Sequence, residues 1–388
     1  MHILIQEIDL SGHHAIYLEN IATAFLSEGH TLTISISEEF IDNEVLKLLL
    51  GNYPNRVFIF QIDSKRATNL LDPIIGNFRR EIGVWFLFKE IYYKVSSNLK
   101  IDYVFYPYLD YCLYAVALFG SPFKCTEWSS ICMRPSFHYH KFKLKKSRQT
   151  VVDWIKEALF LRLLKNKTLN SLFSIDELLI ESIKTKSEKI QYLEDPVCTP
   201  VFLGRNGLKE KYGLKSGAKV ILVYGVIDGR KNINSLLSAL EVIDGWSALI
   251  IGKQDWVTEG NLLNSQWDYL RNEGRIATVN RYISQNEEEE IFNLCDVVWV
   301  AYLQHYQMSG VLVKAGAYKK PIIACEDGLI GWHAKTYGLG VRTNFSIESL
   351  TNSFDVLSDE NICQVIGRNG YSKFKNHNWI NFKKKILS

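Results

Sequence analysis

The sequence predicts an α/β protein built from two doubly wound, parallel-sheet domains. Three observations predict it. The chain has 388 residues, long for one core and comfortable for two. Short apolar runs alternate with longer helical patterns, as βαβ units require. That alternation breaks at Asp195–Pro196 and resumes at Lys219. Proline cannot continue a helix and biases its predecessor to extended geometry, so the break reads as a linker.

The elements follow in order. His2–Gln6 is a first strand. A loop with Gly12, His13 and His14 leads into an amphipathic helix over Ile16–Ser27, which Gly29–His30 ends. Thr31–Ser37 is a second strand, and Val57–Ile62, Tyr103–Tyr106 and Phe123–Thr126 are further strands. Residues 141–190 are richer in charge and mostly helical in pattern. The second series opens with Val220–Tyr224, a continuous apolar run of the kind buried parallel strands show. Ala248–Ile251, Ile276–Val279, Val297–Val300, Pro321–Ala324 and Gly340–Arg342 repeat it, with helices at Ile233–Leu240, Glu287–Cys295, Val311–Ala317 and Ser346–Leu357 between them. The expected division is 1–190 for an acceptor-side domain, 195–360 for a donor-side domain, and 361–388 for a helical tail that crosses back to the first. Two such domains in tandem are expected to face each other across a cleft. Ligands of open α/β sheets bind beyond the carboxyl ends of the strands, so chemistry is expected in the loops after strands.

Composition excludes several classes. Hydrophobic residues make up 47% and charged residues 22%, and the net charge is +3. A near-neutral chain of this kind is not a general polyanion binder, and no nucleic-acid-reading helix stands out. None of the seven cysteines forms a CxxC pair, and no Cys/His cluster has zinc-ligand spacing. That pattern suits a reducing compartment. The first residues, MHILIQEIDL, read as a strand and not as a signal peptide. No run approaches the roughly 20 apolar residues of a spanning helix. A cytoplasmic protein, peripheral to the membrane at most, is expected.

Three loops carry the candidate chemistry of the second half. Gly225 to Asn232 follows a buried strand and opens a helix. Its glycines allow a tight turn, and Arg230 and Lys231 put two cations where a diphosphate could sit. The plain alternative is a solvated turn. Ser309 and Gly310 then begin a helix whose first amides, backed by the macrodipole, would favour an anion. The alternative is an ordinary N-cap. The strand at Pro321–Ala324 leads to Glu326, Asp327 and Gly328, a loop with two carboxylates and open backbone. Its alternative is a turn.

Residues 219–345 resemble the donor-binding domain of the retaining GT-B glycosyltransferases often called group 1. Val220–Lys231 is similar to the family's strand, glycine and basic turn. Ala248–Gly252 is similar to its "LLIVG" strand. NEEEEIFNLCDVVWV at Asn286–Val300 and SGVLVKAGAYKKPIIA at Ser309–Ala324 are similar to its next two segments, and Glu326–Trp332 falls on its glycine-containing loop. The opening of the chain, with Gly12, His13, His14 and Gly29–His30, resembles the family's first βα unit. The resemblance implies a GT-B fold of two Rossmann-like domains and transfer of a sugar from a nucleotide-diphosphate donor to a saccharide or lipid-linked acceptor. Retention of configuration and a place in bacterial-type surface glycan synthesis belong to the same expectation. By position, His14 and Glu326 are the catalytic candidates. Gly225, Arg230, Lys231, Ser309, Gly310, Lys314, Asp327 and Gly328 are the donor-binding candidates, and Gly12, His13 and Arg134 lie on the acceptor side.

The pattern departs from the family at one pair. The family carries two glutamates seven residues apart, and those positions fall here on Tyr306 and Lys314. A protonated lysine cannot accept a hydrogen bond. Glu326 or Asp327 is therefore expected to supply the carboxylate toward the sugar. No DxD-type cluster stands in a suitable loop, so charge stabilisation without an obligatory metal or other cofactor is expected. Residues 134–148, from Arg134 to Arg148, form a basic cluster interleaved with aromatics, and Val151–Leu164 follows as an amphipathic stretch. One reading is contact with an anionic membrane or a lipid-diphosphate acceptor, the other a basic surface loop. Two further readings of the whole chain are an inactive GT-B relative that binds a sugar nucleotide or a protein, and a nucleotide-sugar epimerase.

Overall fold

The computed structural model describes residues 1–63, 77–145, 149–255 and 265–388. It divides into two compact units. One comprises Met1–Phe142, Ser147–Glu194 and Trp379–Ser388, and the other Lys143–Lys146 and Asp195–Asn378.

In the first unit, β1 (His2–Gln6), β2 (Thr31–Ser37), β3 (Val57–Ile62), β4 (Tyr103–Tyr106), β5 (Glu127–Ile131), β6 (Leu169–Ser174) and β7 (Ile190–Tyr192) form one sheet. Its order is β3-β2-β1-β4-β5-β6-β7, and every pairing is parallel. The sequence direction of strand addition reverses between β1 and β4, which makes their carboxyl ends the switch point. Ile3, Leu4, Ile5, Val104 and Phe105 are fully buried there, as strands covered on both faces must be. The helix His14–Ser27 packs on one face, joined by the last helix, Trp379–Leu387. The rings of Trp379 and Phe382 each lie 5.3 Å from Tyr17. The helices Asn77–Ser96, Leu113–Phe119 and Val151–Leu164 pack in series, the middle one touching both others.

Two expectations for this unit change. The expected strand at Phe123–Thr126 is a turn, closed by Thr126 N donating to Phe123 O, with Lys124 in the left-handed region at φ 51°. Phe123 is buried as an anchor, and the strand begins only at Glu127. The largely helical reading of 141–190 misses β6 and β7. Polar Asn170 and Ser171 interrupt the apolar alternation of LNSLFS, so its pattern is weak.

In the second unit, β8 (Lys219–Tyr224), β9 (Trp246–Ile251), β10 (Ile276–Val279), β11 (Val297–Val300), β12 (Ile322–Cys325) and β13 (Gly340–Thr343) form a parallel sheet. Its order is β10-β9-β8-β11-β12-β13. This is the doubly wound arrangement, with its switch point between β8 and β11. The expected fold class, two doubly wound parallel-sheet domains, is the one observed. The helix Gly310–Ala317, which follows β11, is pressed from behind by the helix Glu360–Phe374. Glycine permits the approach: a Cβ on Gly316 would meet the Phe374 ring at 2.3 Å and Gly370 O at 2.9 Å. Among the described residues no helix is long and apolar enough to cross a membrane.

Candidate functional site

The loops after β8, β11 and β12 converge at the switch point of the second sheet. Gly225 turns the chain after β8 at φ 101°, and Gly252 does so after β9 at φ 137°. The two are stacked so closely that a Cβ on Gly252 would lie 1.8 Å from Gly225 O. A short 3₁₀ turn, Gly229–Lys231, follows, capped by Asp228, whose side chain accepts from Arg230 N at 3.1 Å. Asn232 closes it in the left-handed region at φ 54°.

The two cations of this turn have different settings. Lys231 is 3% exposed. Its Nζ donates to Tyr224 O at 2.7 Å and to Tyr302 OH at 2.8 Å, and lies 4.1 Å from the centre of the Tyr302 ring. Burial, and then the Arg230 charge, push its pKa down from 10.5 to about 7. Arg230 is half-exposed. Its guanidinium sits 3.5 Å from Asp228 Oδ2 and 3.4 Å from His305 Nδ1. Arg230 O accepts from Leu303 N at 2.8 Å, which ties the β8 loop to the β11 loop. His305 is thereby drawn to the cation, and burial followed by the Arg230 charge holds its pKa below the ordinary value.

Ser309 and Gly310 stand at the start of the helix after β11. The Ser309 side chain makes no capping bond but hydrogen-bonds to Tyr302 OH. Gly310 is exposed, and the nearest atom to a Cβ built there would be Asp195 Oδ2 at 3.7 Å. Lys314, one turn further on, is ion-paired with Glu288 of the helix Gln285–Leu294. The same Glu288 oxygen accepts from Tyr224 OH. Beyond β12, Glu326 is exposed and Asp327 precedes the helix Gly328–Tyr337. A cavity of about 100 Å³ is lined by Tyr302, His305, Tyr306, Glu326 and Asp327 with residues after β13. Gly328 adopts φ 77°, and a Cβ there would meet His305 O at 2.8 Å. Its amide already donates to Leu144 O at 2.9 Å.

This setting gives Lys231 a pH signature. Its folded pKa of about 7 lies below the unfolded 10.5. The unfolded chain therefore binds more protons between those values, and folding stability rises with pH across that window. An anion bound beside Lys231 raises its pKa again. Affinity for a diphosphate is then expected to fall as pH climbs above about 7. Calorimetry at pH 8 in two buffers of different ionisation enthalpy is expected to show proton uptake on binding, and Lys231→Met is expected to remove it.

The first unit gathers a second cluster at its own switch point. Glu7 follows β1 directly and is 1% exposed. Its Oε1 accepts from Ile8 N at 2.8 Å and Asp9 N at 3.2 Å. Its Oε2 is buried without a hydrogen bond, and so is His14 Nδ1, which faces it at 3.6 Å. The His14 ring stacks on Tyr108, centroids 3.8 Å apart. Gly12 supplies φ 58° in the loop before them. Desolvation by the surrounding loop, then His14 and Arg134, lower the His13 pKa to about 4. Arg134, after β5, is exposed. Its backbone N and that of Met133 donate to Asp110, 2.8 Å each. The cluster thus pairs a buried carboxylate with an imidazole and sets aromatic rings around it.

Comparison with solved structures decides the fold. Over 100% of this chain, the structure superposes on sucrose-phosphate synthase from Thermosynechococcus elongatus with a TM-score of 0.68 at 14% identity, covering 97% of that chain. It superposes on HepE of Anabaena, solved in complex with UDP, with a TM-score of 0.66 at 14% identity, covering 98% of that chain. A glycosyltransferase from Rickettsia africae gives 0.64 at 16% identity and 96% coverage. The chain has the GT-B fold. No protein-family model and no curated protein matches the sequence.

Within this GT-B chain the sequence-expected donor residues Gly225, Arg230, Lys231, Ser309, Gly310, Lys314, Asp327 and Gly328, and the catalytic candidate Glu326, all lie in the second unit, on the loops and helices that follow β8, β11 and β12. Gly12, His13, His14 and Arg134 lie in the first. Of the basic run 134–148, Phe137, His138 and Tyr139 are buried, and His138 Nε2 is bonded to Asp176 Oδ2 at 2.9 Å. Residues 146–148 of that run lie outside the described residues. Tyr302, Glu288 and Glu7 join the clusters without having been singled out in the sequence.

Proposed function

We propose that the protein is a glycosyltransferase whose second unit binds a nucleotide-diphosphate sugar at the switch point between β8 and β11. One observation carries this reading. Arg230, Lys231 and the helix start at Ser309–Gly310 meet on the carboxyl ends of two adjacent strands, tied by the Arg230–Leu303 backbone bond. Cations and helix-start amides are the groups that stabilise a departing diphosphate. The solved complexes of HepE with UDP and with UDP-glucose make uridine-diphosphate hexoses the first donors to try.

In this reading the bond between the anomeric carbon and the β-phosphate oxygen breaks while an acceptor hydroxyl attacks that carbon. The growing diphosphate charge falls on Arg230, on Lys231 beneath Tyr302, and on the amides after β11. Glu326 and Asp327, which line the neighbouring cavity, supply carboxylates for the sugar hydroxyls. The first unit takes the acceptor, a saccharide or a lipid-linked sugar, with His14 as the group that orients the hydroxyl and takes its proton as the new bond forms, and Glu7 as the residue that faces the imidazole. Retention of configuration and surface glycan synthesis remain the expectations of the sequence resemblance. Because the cations are the chain's own, turnover is expected to survive a chelator.

The test is nucleotide release from a panel of nucleotide sugars, with and without saccharide acceptors. Release from one donor that rises with acceptor supports the transferase. A second reading is a binding module without turnover. It rests on the internal bonds already made by Lys231 Nζ and the Gly328 amide. Tight donor binding with no release, with any acceptor, would select it.

A further inference from the structure

The helix Val151–Leu164 is apolar on two sides. Phe160, Leu163 and Leu164 bury against the first unit, as an amphipathic helix would. Yet Val151 is 75% exposed, Trp154 65% and Ile155 47% on the opposite side. A helix hydrophobic all round is normally covered on all sides. Its neighbours continue the pattern. Phe119 ends the adjoining helix 53% exposed, with its ring 5.5 Å from Trp85, and Phe86 projects from Asn77–Ser96 at 57%. Arg162 Nη2 bonds Leu118 O at 3.4 Å, and Lys156 lies over Tyr114 at 5.9 Å, so the helices present one layer.

The charges of this layer are one-sided. Lys89 lies 5.0 Å over Trp85, Lys124 4.2 Å over Tyr93, and Lys156 and Arg162 flank the exposed side of Val151–Leu164. The acids of these helices are already engaged. Glu90 pairs with Lys94, and Asp153 closes the capping box with Thr150. Glu81 accepts from Tyr114 N and Ala115 N, and Glu157 from Lys141 and Lys186. A two-fold contact between copies would set this cation-fringed face against itself, because such an interface is self-complementary. Apolar and aromatic side chains fringed by cations fit a different partner, an anionic lipid surface.

We propose that the outer layer formed by Asn77–Ser96, Leu113–Phe119 and Val151–Leu164 docks on an anionic bilayer, with Trp154 and Ile155 entering the interface and the lysines meeting lipid headgroups. This goes beyond the donor reading and does not depend on it. The experiment is co-sedimentation of the full chain with phosphatidylcholine vesicles, with and without phosphatidylglycerol, at low and high salt. The expected result is binding to the anionic vesicles that high salt weakens. A Trp154→Ser, Ile155→Ser variant is expected to bind at least about tenfold more weakly. Both positions are exposed, so the variant keeps its fold, which circular dichroism checks. Absent binding to anionic vesicles, or equal binding by the variant, overturns the proposal. So does sedimentation equilibrium showing a wild-type dimer that the variant loses, since a second copy would then cover the face. Nucleotide release with a soluble acceptor, measured on the same variant, reads the donor site separately.

Discussion

Arg230→Ala combined with Lys231→Met is expected to lower the rate of the proposed sugar transfer by about 100- to 1,000-fold, the usual loss when a donor aimed at developing charge is removed. The two residues act differently. Arg230 is half-exposed and holds a fork of donors toward the His305 side of the loop. Lys231 is buried under Tyr302 and shapes the turn through Tyr224 O as well as carrying charge. Methionine keeps the stem that fills this space, so the larger expected loss is in turnover, with a modest cost to folding for the lost bond to Tyr224 O. The check is kcat with a saturating donor, beside a thermal melt. A folded variant with near-normal kcat would remove both side chains from the leaving-group role.

Gly252→Ala is expected to destabilise the second unit by roughly 2–4 kcal/mol and to abolish the proposed donor binding with it. The reason is local and severe. The residue adopts φ 137°, and its new methyl would stand 1.8 Å from Gly225 O. Backbone cannot yield as a flexible side chain can, so β8 and β9 must part at their carboxyl ends. Gly225 opens the turn that carries Arg230 and Lys231, and the damage reaches the site directly. Chemical denaturation of wild type and variant measures the loss. A variant of equal stability would show that the two loops tolerate separation. Gly29→Ala, at φ 83° with open space around it, serves as the control for strain without collision.

The fold was largely legible because buried parallel strands announce themselves. VILVY before Gly225 and VVWV before Ala301 are apolar runs flanked by turn residues, and both are strands. Strands with polar interruptions, such as Leu169–Ser174, carry no such pattern and escaped. The candidate site was legible only where it is continuous in the chain. Gly225, Arg230 and Lys231 share one turn, and Ser309 and Gly310 share one helix start. Tyr302 and His305 meet that turn across strands, through contacts that no spacing in sequence encodes. Glu288 is one of four consecutive glutamates, and only its register on the helix puts it against Lys314 and Tyr224. Glu7 looks like any polar residue ending a strand. Its burial opposite His14 follows from the strand order, which places β4 and its Tyr108 beside β1.

The most direct measurement is calorimetric titration of wild type and Arg230→Ala with nucleoside diphosphates of each common base. One of them is expected to bind wild type with a Kd of roughly 1 μM to 1 mM, and Arg230→Ala to bind it at least about tenfold more weakly. If no nucleoside diphosphate or nucleotide sugar binds, or if the variant binds as wild type does, the second unit does not hold a diphosphate at the β8–β11 switch point.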